Sequence, residues 1–112
     1  MSGYFLSLDA DADLQDIYIY TDEIWGERQA TIYLHGLYDV FGHIGRNPLM
    51  GRMRRELGDG IRSFPHGAHV VFFMSWQGEV AIVRVLHGAM DFESLFDAYN
   101  PIPALENKKP RR

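Results

Sequence analysis

Apolar and polar positions follow two rhythms along this chain, and the changes of rhythm divide it into elements. Tyr4 to Leu8 is a short apolar and aromatic run that predicts a strand. Leu14, Ile17, Tyr18, Thr21, Ile24 and Trp25 then recur at helical spacing, with Asp13, Asp16, Asp22 and Glu23 off that stripe. Asp9 or Asp11 is placed to cap this helix, and Gly26 stops or bends it. A second helix is predicted from Glu27 to Ile44, with Ala30, Tyr33, Leu34, Leu37, Phe41 and Ile44 on one face and Gly45 and Pro48 ending it. Two such helices about one glycine make an antiparallel hairpin.

The stretch RNPLMGRMRRELGDG holds no sustained period and predicts a loop. Ile61 to Phe64 predicts a short strand closed by Pro65. HVVFFMSW and EVAIVRVLH then predict a hairpin about Gln77-Gly78. Phe92 to Tyr99 has room for one or two helical turns, and Pro101 and Pro103 predict an irregular tail. The resulting order is strand, helix, helix, strand, strand, strand. It implies an α+β two-layer domain over residues 1–99, with a helical hairpin on a mostly antiparallel sheet and a flexible tail over 100–112.

With Gln77-Gly78 as the turn, Trp76 faces Glu79, Met74 faces Ala81, Phe72 faces Val83 and Val70 faces Val85. Val71, Phe73, Val80, Ile82, Arg84 and Leu86 then share the other side of the sheet. Both sides are apolar, yet one helical hairpin covers only one. The second face predicts an exposed patch suited to a partner, unless the register slips by one or a loop folds over it. Arg84, flanked by apolar side chains, needs a carboxylate. Asp91 and Glu56 are the candidates within the chain, and a partner is the alternative.

Composition narrows the setting. The 112 residues suit one domain, 46% hydrophobic and 23% charged, without cysteine. The absence of thiols predicts a reducing cytoplasm. No apolar run approaches the roughly 20 residues that span a bilayer, and the acidic N-terminus predicts no signal peptide. The net charge of −4 argues against general binding to nucleic acid. The first 27 residues carry seven acidic side chains and no basic one. Residues 46–62 carry Arg46, Arg52, Arg54, Arg55 and Arg62 against Glu56 and Asp59. The chain is electrically two-ended, either a solvated acidic helix face beside a basic loop or a local anion-seeking site. His35, His43, His66, His69 and His87 show no metal spacing, so no metal or cofactor is expected. The basic KKPRR end reads as a solvated tail.

Three segments together carry a family resemblance. DLQDIYIYTDEIWGERQATIYLHGLYDVF, NPLMGRMRRELGDGIRSFPHGAHVVFF and AIVRVLHGAMDFESLF, in that order, resemble the ParE branch of the RelE/ParE toxin superfamily over roughly residues 5–97. The resemblance implies the same strand–helix–helix–three-strand fold. It also implies a cytoplasmic bacterial toxin of a type II toxin–antitoxin pair, bound by a ParD-like antitoxin with an acidic C-terminal segment. It implies DNA gyrase as the target, with operator DNA contacted only through the antitoxin. Phe73-Met74 stands where relatives often have Tyr-Arg, and neither Ala89 nor Met90 supplies the arginine usual after the histidine. Natural divergence and a change that lowers toxicity both account for that loss.

Two chemistries compete at RVLHGAMD. A RelE-like messenger endonuclease needs a base, an acid and cations around a phosphate. Glu56, His87, Arg62 and Arg84 are its candidates, with Tyr99 assisting. Phe73 moves no proton, Met74 carries no charge and the body is acidic, so the non-enzymatic reading is preferred. His87 then closes a strand and bonds to neighbouring backbone or a carboxylate. The expected antitoxin- or target-binding surface comprises Arg52, Arg54, Arg55, Arg62, Val71, Phe73, Ile82, Arg84, Leu86, His87, Met90 and Asp91. A third reading is an inactive toxin-derived protein that holds antitoxin or acts as co-repressor.

Overall fold

The first strand turns into the first helix at Ser7. In the computed structural model, which describes residues 3–97, 99–101, 103 and 105, β1 (Tyr4–Leu6) precedes it and α1 (Leu8–Trp25) follows. Ser7 Oγ accepts from Ala10 N at 2.9 Å and donates to Val83 O at 2.8 Å. Ser7 N donates to Ile82 O at 3.0 Å. The cap is therefore this buried serine, not Asp9 or Asp11, which sit in the first turn where the helix dipole favours acids.

Gly26, at φ 93°, joins α1 to α2 (Glu27–Arg46), and its N–H bonds Asp22 O. Gly45 lies inside α2 rather than ending it, packed against the Gly3 backbone. The helix runs to Arg46 and closes on Asn47. The basic loop contains one element that its sequence hides, the two-residue β2 (Arg52–Met53), paired with β3 (Arg62–His66). β4 (His69–Trp76) and β5 (Glu79–His87) follow, then α3 (Phe92–Asp97). Among the described residues the sheet order is β1-β5-β4-β3-β2, antiparallel except for β1 beside β5. Gln77 and Gly78 both have positive φ, as a tight hairpin turn of the primed type requires.

Trp76–Glu79 and Met74–Ala81 pair as predicted, but the predicted Phe72–Val83 and Val70–Val85 pairs do not form. Phe73 pairs with Ile82 and Phe72 with Arg84, which leaves Val83 as an extra residue in β5. This bulge lies where β1 ends and Ser7 takes the Val83 carbonyl. Past it the faces exchange: Val85 joins the helical side with Val71, and Leu86 the opposite side with Phe72.

The exchange corrects the expected exposed patch. Val71, Phe73, Val80 and Ile82 face the helical hairpin and are buried in the main core with Leu14, Leu37 and Phe41. The second face is also covered. Phe72 and Leu86 pack under Phe96, Phe92, Leu57 and Ile61. Leu105 seals Phe5 and Ala81. The pattern predicts irregular chain through Pro101 and Pro103, yet Leu105 N donates to Pro101 O at 3.1 Å. Proline fits the first turn of a helix, because its missing N–H is not needed there. The KKPRR end lies outside the described residues.

Apolar surface is nonetheless left over, on the helices. Ile19, Tyr20, Ile24, Trp25 and Ile32 are all more than half exposed. Ile24 and Trp25 continue the helical stripe of α1 without reaching the core.

Candidate functional site

The end of β5 is built around Arg84 and a carboxylate 71 residues earlier. Arg84 Nε and Nη2 donate to Asp13 Oδ2 and Oδ1 at 2.8 and 2.9 Å. Val85 N donates to the same Oδ2 at 2.9 Å. Beyond Leu6 the β1 edge of β5 has no strand beside it, and Asp13 on α1 takes the place of one for this N–H. The partner of Arg84 is therefore neither Asp91 nor Glu56. Its guanidinium also lies 5.4 Å from the Tyr99 ring centroid, and Tyr99 Oη donates to Asp9 Oδ2 at 2.7 Å. Asp9 and Asp13, one turn apart on α1, thus hold the chain beyond α3 and the end of β5. The hydrogen bonds to Asp13 hold the Arg84 charge more firmly than usual, and burial followed by the bond to Asp9 pushes the Tyr99 phenol up.

Beside this pair lies a histidine cluster. His69 Nδ1 is 2.6 Å from Tyr33 Oη, which also accepts from Ala68 N and donates to His66 O. The tight β3–β4 turn needs glycine at 67, where φ is +56° and a Cβ would lie 2.8 Å from the Tyr33 ring. Burial, then the neighbouring His87 and His66 rings, hold His69 below its usual pKa. His87 stacks edge-on to His69 with ring centroids 5.6 Å apart and is itself exposed. Its Nδ1 accepts from Ala89 N at 3.1 Å, the backbone bond expected of a strand-closing histidine.

The remaining nominated residues lie elsewhere. Glu56 accepts from Arg54 Nε at 2.7 Å, and this bond holds its carboxyl below the usual range. Arg54 also bonds Ser63 Oγ and stands over the Phe92 ring. Arg62 donates to Leu49 O at 2.9 Å. Asp91 caps α3 through the Ser94 N–H and hydroxyl, which keep its carboxyl low. Arg62 pairs with Phe73, whereas His87 pairs with His69, four residues away along β4, or about 13 Å. Glu56, Arg62, Arg84 and His87 therefore do not converge on one phosphate-sized site. Arg52 and Arg55 are exposed and form no ion pair among the described residues, and Met90 is exposed at the rim beside His87. Val71, Phe73, Ile82 and Leu86 are buried and present no surface.

Sequence reasoning missed Asp9, Asp13, Tyr33 and His69 as organising residues. The one local signal was that Asp9 and Asp13 flank the buried Ala10, Leu14 and Ile17 one turn apart. Among the described residues no group of three or more His, Cys, Asp or Glu is placed to hold a metal ion, and no helix is long and apolar enough to cross a membrane.

A family model described as "ParE toxin of type II toxin-antitoxin system, parDE" matches residues 4–92. Toxin ParE1 of Caulobacter vibrioides is 40% identical over 91 residues, covering 81% of this chain and 94% of the relative. Toxin ParE1 of Mycobacterium tuberculosis is 37% identical over 93 residues, covering 82% and 95%. Toxin ParE of Escherichia coli is 32% identical over 92 residues, covering 81% and 89%. Among solved structures, a chain of a chromosomal ParDE toxin–antitoxin system from P. aeruginosa has the same fold, with a TM-score of 0.68 at 20% identity over 78% of this chain and 96% of that one.

Proposed function

Since the chain belongs to the ParE toxin family of type II toxin–antitoxin systems, we propose that it acts by binding rather than by cutting, inhibits DNA gyrase in the cytoplasm, and is neutralised by a ParD-like antitoxin. The observation that carries the binding reading is the dispersal of the nuclease candidates. Arg84 is neutralised by Asp13, Glu56 is tied to Arg54, and His87 accepts from the backbone. General acid–base cleavage needs two proton-transfer groups within hydrogen-bond reach of one substrate, and these elements hold theirs strands apart.

The same dispersal leaves Arg52 and Arg55 as spare guanidinium groups, with Met90 and His87 at the β5 rim. An acidic antitoxin segment is the partner that complements the arginines. Operator DNA is contacted through the antitoxin alone, since this chain carries net negative charge.

Supercoiling by purified gyrase in the presence of the full chain tests the reading. Inhibition that a co-expressed ParD-like antitoxin relieves is the expected result. Unimpeded supercoiling together with cut messengers in a translating extract would replace it with the endonuclease reading.

A further inference from the structure

Two clefts, of about 570 and 400 Å³, share Tyr20, His69 and His87 and form one groove where α1 passes the start of β4 and the end of β5. Its aromatic wall is unusual for a surface: Trp25 is 71% exposed and Tyr20 is 64% exposed, and both line the larger cleft. Asp16 lines the smaller one, exposed and with no hydrogen bond or ion pair among the described residues. The ion pair in the groove is matched internally. Arg84 is matched by Asp13, and burial holds His69 below its usual pKa. What remains is a groove of aromatic faces with one spare carboxylate. Exposed Ile24 extends the apolar surface, and exposed Asp22 and Glu23 deepen the negative field along α1.

This chemistry selects its occupant. Ring faces attract cations, most strongly where water is partly excluded. A guanidinium or ammonium on an apolar stem satisfies the Tyr20 ring and the Asp16 carboxylate together, since the two are one turn apart on α1 and line the same cleft. An acidic segment or a nucleic-acid backbone meets Asp16 and the acidic helix and is repelled. A bare metal ion finds too few ligands. We propose that the groove docks a basic segment of a protein partner, seating one lysine or arginine side chain against the Tyr20 ring with Asp16, one turn away on α1, as its counter-ion, and the next side chains of the segment against Trp25 at the other end of the groove. The site stands apart from Arg52 and Arg55, which lie toward the β2 edge of the sheet and suit an acidic partner.

The test is titration of the isotope-labelled full chain with a short helical peptide alternating leucine with arginine and lysine, followed by NMR. The control is the same peptide with every cation replaced by glutamate. The Trp25 indole N–H should shift and saturate while the Trp76 indole stays still, and the glutamate peptide should bind at least about tenfold more weakly. Asp16→Asn and Trp25→Ala, both at exposed positions and checked for unchanged thermal unfolding, should each weaken the basic peptide about five- to tenfold. A stationary Trp25 indole, equal binding of the glutamate peptide, or undiminished binding by both variants would overturn the proposal.

Discussion

Asp13 accepts two hydrogen bonds from Arg84 and a third from the Val85 backbone. Removing it leaves a half-buried guanidinium and an edge N–H unmatched. Breaking a fully buried pair costs about 3–5 kcal/mol. This one retains some exposure, 20% for Arg84 and 12% for Asp13, so Asp13→Ala should cost about 2 kcal/mol, read as a lower urea midpoint. Adding Arg84→Met should recover part of that loss, because the orphaned charge is gone. At His69 the effect is one of pH. Its folded pKa lies below the usual value of 6.5, so the unfolded chain takes up a proton that the folded chain refuses. The contribution is intact above pH 6.5 and declines as pH falls from there through the folded value. Thermal melts of the parent and His69→Gln over this range should show a shallower pH slope in the variant. Neither residue's role is legible in sequence: Asp13 reads as one acid among seven, and its partner is 71 positions distant.

At the scale of elements, both helices, the β4–β5 hairpin and the turns at Gly26 and Gln77-Gly78 follow from local pattern. A period of 3.6 or 2 needs only neighbouring residues. The bulge at Val83 does not follow, since it depends on Ser7 reaching a carbonyl 76 residues away. One extra residue reassigned every side chain beyond it, which is why Leu86 lies opposite the face expected of it. Ser7→Ala removes the α1 cap and the tether to the bulge together. The expected loss is about 1–2 kcal/mol, measurable in denaturant, with faster amide exchange at Ala10 and Asp11.

Across the whole molecule, apolar surplus and charge asymmetry were both legible, but their locations were not. The surplus sits on the outer side of the helical hairpin because α3 and Leu105 close the second sheet face. Two ion pairs, Arg84 with Asp13 and Arg54 with Glu56, consume part of the charge internally, while exposed Arg52 and Arg55 stand at one place and exposed Asp16 at another. Met90 occupies the turn after His87, where the resemblance leads one to expect an arginine at 89 or 90, and it is 44% exposed. Met90→Arg adds an exposed cation at the β5 rim without disturbing the core. Induced expression of this variant should inhibit growth more strongly than the parent, scored by colony counts at matched protein levels. Equal counts would remove position 90 from the toxic surface.

The order of the main elements, the two-layer class and the family were readable from the chain alone, because hydrophobic period, turn chemistry and ordered motifs are properties of neighbours along it. Which face each strand residue occupies, which carboxylate answers Arg84 and where uncovered apolar surface lies were decided only on folding. The first two depend on one bulge and on contacts between residues about 70 or more positions apart, the third on α3 and Leu105 folding back over the sheet, and no local pattern encodes them.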